Sequence, residues 1–139
     1  MRQALHSLHI QTGGKGLVEI GAEVSRWLRA QNIATGLLTI FCRHTSASLL
    51  IQENADPDVQ TDLEKFFEEI APEDMTRYVH KTEGLDDMPA HIRAALTQTL
   101  LAVPVASGRM LLGTWQGIYL FEHRRAPHRR EIVLHLLGE

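Results

Sequence analysis

The stretch LLAVPVASGRMLLGTWQGIYLFEHRRAPHRREIVLHLL, residues 100–137, decides the fold. It opens on the β-rich run LLAVPVA and turns at Ser107-Gly108. A long run from Met110 to Glu122 follows, then APHRR, then EIVLHLL. Branched and aromatic residues punctuated by Gly, Pro and Ser are the pattern of paired antiparallel strands, so a hairpin is expected at both connections. Gly113 and Gly117 interrupt the long run, which predicts bends or close backbone approach rather than a flat ladder.

Working outward, residues 4–10 alternate as a strand before the breaker cluster TGGKG at 12–16. Ile20, Val24, Trp27 and Leu28 then fall on one helical face that should stop near Asn32. Residues 37–42, LLTIFC, are almost continuously apolar, so a central strand covered on both faces is expected, with His44 just past its end. Leu49–Ile51 reads as another strand, and Asp56-Pro57 supplies an N-cap and a first-turn proline. The next helix has the face Val59, Leu63, Phe66, Phe67 and Ile70 and is closed by Pro72. Residues 81–88 read as a polar loop, and Pro89 starts a third helix with Ile92, Leu96 and Leu100 at spacing four. Helices grouped between residues 20 and 100, with strands elsewhere, are not βαβ alternation. The expected class is α+β, an antiparallel sandwich with about three helices packed at its edge.

With 139 residues, 44% hydrophobic and 22% charged, the chain is expected to form one domain, residues 1–139. Its formal net charge of -3 argues against a wide basic surface for nucleic acid or an anionic membrane, while leaving room for a local phosphate site. Cys42, the single cysteine, excludes a disulfide framework or a multi-cysteine metal site within one chain and points to a reducing cytoplasm. The amino terminus lacks a secretion-type apolar region and no run reaches the ~18 apolar residues of a membrane span, so a soluble protein is expected.

Eight histidines are many for this length, and His44, His80, His91 and His123 sit at element ends or in polar loops. Neutral imidazoles with a carboxylate or water suit zinc and related ions, but with no HExxH-type motif the cluster must be tertiary. The acidic loop Glu83-Gly84-Leu85-Asp86-Asp87 lies between His80 and His91 and offers oxygens to a divalent cation; the alternative is a solvated loop in which Asp87 caps the helix. Glu53, Asn54 and Asp58 surround a helix start where they would orient substrate, with Asp56 capping. Arg129 and Arg130, with Arg124 nearby, are the candidate phosphate ligands. Trp115 and Gln116 would present a ring and an amide to a flat heterocycle, unless the Trp is core. Ser46 and Ser48 lack a nucleophile elbow, and Cys42 reads as an inert packed thiol. No P-loop or G-x-G-x-x-G occurs, which removes support for nucleotide-driven phosphoryl transfer.

Three strings, HTSASLLIQENADPDVQTDL at 44–63, EGLDDMPAHI at 83–92 and GRMLLGTWQGIYLFEHR at 108–124, resemble the YjbQ-like family. The resemblance implies a jelly-roll-like subunit that assembles as a homotrimer. It also implies a weak or auxiliary thiamine-phosphate synthase, joining a hydroxymethylpyrimidine diphosphate to a thiazole phosphate with release of pyrophosphate. Metal-dependent hydrolysis of a small phosphorylated or amide substrate, and non-catalytic binding of a small molecule, are the competing classes. Carried onto this chain, His44, His80 and His91 would hold a divalent metal, zinc at the histidines or magnesium with the diphosphate. Arg129 and Arg130 would take phosphate, while Asn54, Asp58, Asp87, Gln116 and Glu122 would orient substrate or support the ligands. The chain departs from the family pattern at His80-Lys81, where relatives often carry His-Asp, and in the short APHRR turn.

Overall fold

The computed structural model describes all 139 residues. The elements are β1 (Arg2–Gln11), β2 (Gly16–Glu19), α1 (Gly21–Ala30), β3 (Gly36–Cys42), β4 (Ala47–Glu53), α2 (Pro57–Ile70), α3 (Asp87–Leu96), β5 (Leu100–Ala106), β6 (Arg109–Met110), β7 (Gln116–Glu122) and β8 (Arg129–Gly138). They make two antiparallel sheets, ordered β1-β8-β3-β5-β6 and β2-β7-β4. Alternate residues of a strand share a face. Leu38 and Ile40, Val103 and Val105, and Ile132, Leu134 and Leu136 therefore point inward, where they meet Leu49, Ile118 and Leu120 of the smaller sheet. Val24 and Leu28 of α1 complete this core, and the result is an α+β, jelly-roll-like sandwich.

Two sequence expectations hold at residue level. Asp56 caps α2, its Oδ1 accepting from the Asp58 N–H at 2.9 Å, with Pro57 in the first turn. Gly117 is a close-approach site, since a Cβ there would lie 2.9 Å from Tyr119 and 3.0 Å from Asn54.

Elsewhere the structure corrects the reading. The long run from Met110 is broken: Gln116 Oε1 accepts from the Gly113 N–H at 2.8 Å and closes a turn before β7 begins. Trp115 lies in that turn, 63% exposed, and is not core. Only β5 and β6 make a hairpin, because β7 and β8 belong to different sheets and residues 123–128 cross between them. The short β2, pairing with β7 directly after the glycine cluster, was too brief to show a period. β3 is covered on one face only: Leu37 and Phe41 remain 46% and 42% exposed. Of the predicted α2 face only Phe67 is buried, and Phe66 and Ile70 stay exposed. α3 buries Asp87, Pro89, Ala90, Arg93 and Ala94, while Leu96 is exposed and Leu100 belongs to β5. Small alanines and an arginine whose Nη2 donates to the Ala71 carbonyl at 3.0 Å form the face that leucine spacing failed to identify. No helix is long and apolar enough to cross a membrane.

Candidate metal centre and its cleft

The first turn of α3 carries the chemistry. Asp87 and His91 stand four residues apart, and i, i+4 residues share a helix face. The segment before the helix brings His80, and Gly84, at φ 105°, turns the acidic loop so that Glu83 joins them. One ligand atom from each of His80, Glu83, Asp87 and His91 lies within 4.8 Å of all the others. Asp87 is the hub at 2% exposure: its Oδ2 is 2.7 Å from His80 Nε2 and 3.0 Å from His91 Nε2. Asp87 does not cap the helix; Asp86 holds that position, without a side-chain capping bond.

A buried carboxylate needs compensation. Burial pushes the Asp87 carboxyl up, and His80, His91 and Arg124 more than offset this, so the group lies below its usual range. Arg124 Nη1 donates to Asp87 Oδ1 at 2.6 Å, Nε to Asp86 Oδ2 at 3.1 Å, and Nη2 to the Glu83 carbonyl at 3.0 Å. One guanidinium thus fixes the whole loop and leaves Asp87 Oδ2 facing the imidazoles.

His91 has a proton deficit in this geometry. Its Nδ1 is 2.9 Å from the Thr45 carbonyl, which only accepts, so Nδ1 carries the hydrogen. A neutral ring then presents the Nε2 lone pair to the Asp87 Oδ2 lone pair at 3.0 Å. A second proton or a cation between the two atoms resolves that contact. Two imidazole nitrogens and two carboxylates suit zinc, manganese or iron better than magnesium, which prefers oxygen and water.

Beside the cluster opens a cavity of about 230 Å³ lined by His44, Thr45, His91 and Thr99. It shares His44, Thr45 and Thr99 with a neighbouring cavity of about 590 Å³ that reaches Phe41, Arg43 and Arg130. His44 is not among the grouped ligands. Its Nε2 accepts the Glu131 backbone N–H at 2.8 Å.

The other predicted site residues fall into three places. Glu122 is sealed in the interior. Its Oε1 accepts from Thr12 Oγ1 at 2.6 Å and Arg130 Nε at 2.8 Å, and its Oε2 accepts from Arg130 Nη2 and from the His123 N–H at 3.0 Å. Burial opposes its ionisation, but Arg130 and Thr12 outweigh that and hold the carboxyl low. Arg130 is consequently spent on Glu122 and Ser46, while Arg129 is exposed on the other face of β8; adjacent strand residues cannot act as one phosphate clamp. Asn54, Asp58 and Gln116 lie at the far end of the β4–β7 pair. Glu53 pairs with Gln116 and Ala47 with Glu122, six residues apart, which is about 20 Å of strand. A single copy of the chain therefore does not unite them with Asp87.

Sequence reasoning passed over Thr45, Thr99 and the tether of Arg124 to the acidic loop. Asp87-x-x-x-His91 was the readable signal, since two ligand types one turn apart face the same way. The buried contact of Ser48 Oγ with His123 Nε2, 2.8 Å, had no signal at all, because it joins residues 75 apart.

Comparison with known proteins bears on the whole chain. A family model described as UPF0047 protein YjbQ-like matches residues 6–139. A UPF0047 protein of Synechocystis sp. is 55% identical over 138 residues, covering 99% of this chain and 94% of that protein. The YjbQ protein of Escherichia coli O157:H7 is 49% identical over 104 residues, 75% of each chain. Among solved structures, a conserved hypothetical protein of Thermus thermophilus superposes with a TM-score of 0.84 at 35% identity, covering 95% of this chain and 99% of that one. A protein of unknown function from Sulfolobus solfataricus superposes at 0.87 with 23% identity, which is a likeness of fold.

Proposed function

This chain belongs to the YjbQ-like UPF0047 family, and on that premise we propose that it is a metal-dependent enzyme acting on a phosphorylated small molecule. The observation that carries the reading is Asp87 Oδ2, buried and shared by two imidazole nitrogens with Glu83 alongside. His80, Asp87 and His91 would hold the cation and Glu83 would close the site. The reaction to test first is the thiamine-phosphate synthase type. The thiazole nitrogen forms a bond to the pyrimidine methylene carbon, the carbon–oxygen bond to the diphosphate breaks, and pyrophosphate leaves with the bonding pair. A bound divalent cation supplies positive charge against the departing diphosphate. The chain's own contribution is to keep Asp87 ionised through Arg124 and to offer the cleft along His44, Thr45 and Thr99 to the phosphorylated end. Hydrolysis of one phosphorylated or amide substrate is the second reading, favoured by the donor set, since two nitrogens and a carboxylate are the ligands that ready a zinc-bound water.

Homotrimer assembly is part of the proposal. Leu5, Leu37, Phe41, Leu100 and Leu137 lie on the outward face of the five-stranded sheet, all exposed, and a second copy covering them would lower the cost of that apolar surface. Assembly is also the route by which Asn54, Asp58 and Gln116 of one copy would reach the Asp87 cluster of another. Light scattering should give three times the 15.7 kDa subunit mass; a monomer removes this part of the reading.

Elemental analysis of the untagged protein beside His91→Ala tests the metal. About one transition metal per chain in wild type, lost in the variant, supports the site, and a metal-free wild type refutes it. Product formed only when both thiamine precursors are supplied supports the transferase. Chelator-sensitive turnover of a single substrate supports the hydrolase instead.

A further inference from the structure

Several polar groups around the cleft already have partners: Arg43 Nη1 donates to Glu131 at 2.9 and 3.0 Å, Arg130 Nε and Nη2 to Glu122 and Ser46, and His91 Nδ1 to the Thr45 carbonyl. The hydroxyls of Thr45 and Thr99 and one nitrogen of His44 have none, and all three residues lie on the wall shared by the two cavities. His44 differs from the other two because its tautomer is dictated by the fold. The Glu131 backbone N–H points at Nε2 from 2.8 Å. A backbone amide only donates, so Nε2 must keep its lone pair and the ring hydrogen must sit on Nδ1. The same contact fixes the ring orientation, since flipping the imidazole would set a carbon against that N–H. Burial, then the nearby Arg130 charge, favour the neutral ring. Nδ1 has no partner in the chain, and it is not among the buried unsatisfied atoms, in contrast with His123 Nδ1.

We infer that His44 is neither metal ligand nor general base but a neutral, tautomer-locked Nδ1–H donor that binds an anionic oxygen of the substrate beside the His80–Glu83–Asp87–His91 cluster. This rests on the metal-site reading only for the position of the substrate; the tautomer stands on the Glu131 contact alone. The substrate class is a phosphate or another oxyanion, met on the shared wall by the neutral Nδ1–H of His44, with the Thr45 and Thr99 hydroxyls placed to supply adjacent hydrogen bonds.

The test uses full-length protein labelled with ¹⁵N at histidine, read at neutral pH by two-bond ¹H–¹⁵N correlation and assigned with His44→Ala. A neutral His44 with Nδ1 protonated is expected, and titration with inorganic phosphate in the presence of zinc should shift Nδ1. Protonation at Nε2, a charged ring, or an Nδ1 that ignores phosphate overturns the inference. Phosphate affinity by calorimetry should fall about tenfold in His44→Ala, as for loss of one hydrogen bond to a charged partner, with recovery in His44→Asn, whose amide N–H reaches the Nδ1 position. Metal content should be the same in wild type and His44→Ala. Metal lost with His44 makes it a ligand and overturns the inference. A wild type free of metal but carrying the locked tautomer and the phosphate response refutes the metal-site reading while leaving the His44 assignment intact.

Discussion

Helix α3 has a histidine-containing polar cluster at each end, and the two obey opposite rules. At its amino end, His80 and His91 are about one-third exposed, face the same carboxylate oxygen and leave a lone-pair contact that the chain cannot satisfy by itself while His91 is neutral. At its carboxyl end, Thr97 meets Ser48, which meets His123, and Ser48 and His123 are fully buried. Protons there can be placed almost completely. The Arg93 carbonyl, 2.8 Å from Thr97 Oγ1, can only accept and so takes the one Thr97 hydroxyl hydrogen; the 2.6 Å contact between Thr97 and Ser48 is then filled by the Ser48 hydrogen, and the 2.8 Å contact between Ser48 and His123 by an imidazole Nε2–H. Ser48 is thus an acceptor toward the imidazole, not a nucleophile activated by it. The open cluster leaves one contact without a hydrogen of its own while His91 is neutral; the closed one is a piece of the fold that uses the same residue types.

The sharpest way to break this comparison is Asp87→Asn. Loss of the shared carboxylate should lower metal affinity by more than about 100-fold, beyond what an outer partner of a ligand usually costs, measured by competition with a chromogenic chelator. Unchanged affinity would place the metal elsewhere.

Acid should separate the two ends next. Burial, then the charge of Arg93, lowers the His123 pKa to about 3. Between the ordinary value near 6.5 and about 3 the unfolded chain binds a proton that the folded chain refuses, so stability falls as pH drops through that window. The contribution is roughly 4–5 kcal/mol over the full range. Denaturant midpoints at pH 7 and pH 5 should therefore diverge more in wild type than in His123→Leu, and equal slopes would contradict a neutral buried imidazole. Glu122→Ala, which strands Arg130 at 4% side-chain exposure, should cost about 3–5 kcal/mol at pH 7 by the same measurement. A near-neutral result would free Glu122 for the substrate-orienting role that the family resemblance implies.

What the sequence revealed about these clusters follows from range. Asp87 and His91 are one helical turn apart, Asp56-Pro57 is a local cap, and the alternation of β5 and β8 is a local period, so all were legible. Leu37 and Phe41 were read as buried because a run of apolar residues records hydrophobicity and not what covers it. In a string, an exposed apolar sheet face looks the same as a core face. Glu122 and Arg130 were read as site residues because carboxylate and guanidinium chemistry is visible in a string, whereas their mutual saturation is not. The α3 face was misread because Ala90, Ala94 and the aliphatic stem of Arg93 bury as well as leucine does.

Ser48→Ala is the smallest of these effects and the one that tests the proton placement itself. The side chain accepts from His123 and donates to Thr97, so truncation strands a buried imidazole N–H and removes one partner of a hydroxyl that keeps its bond to the Arg93 carbonyl. One unsatisfied buried donor costs about 1–3 kcal/mol, and no more is expected because Thr97 remains bonded. If Ser48 instead donated to His123, the imidazole hydrogen would lie on Nδ1, where the structure offers no partner. That wild type would already carry the unsatisfied group, and Ser48→Ala would then cost less than about 1 kcal/mol. Turnover and metal content should be unchanged either way, because Ser48, Thr97 and His123 are not among the residues that line the cleft.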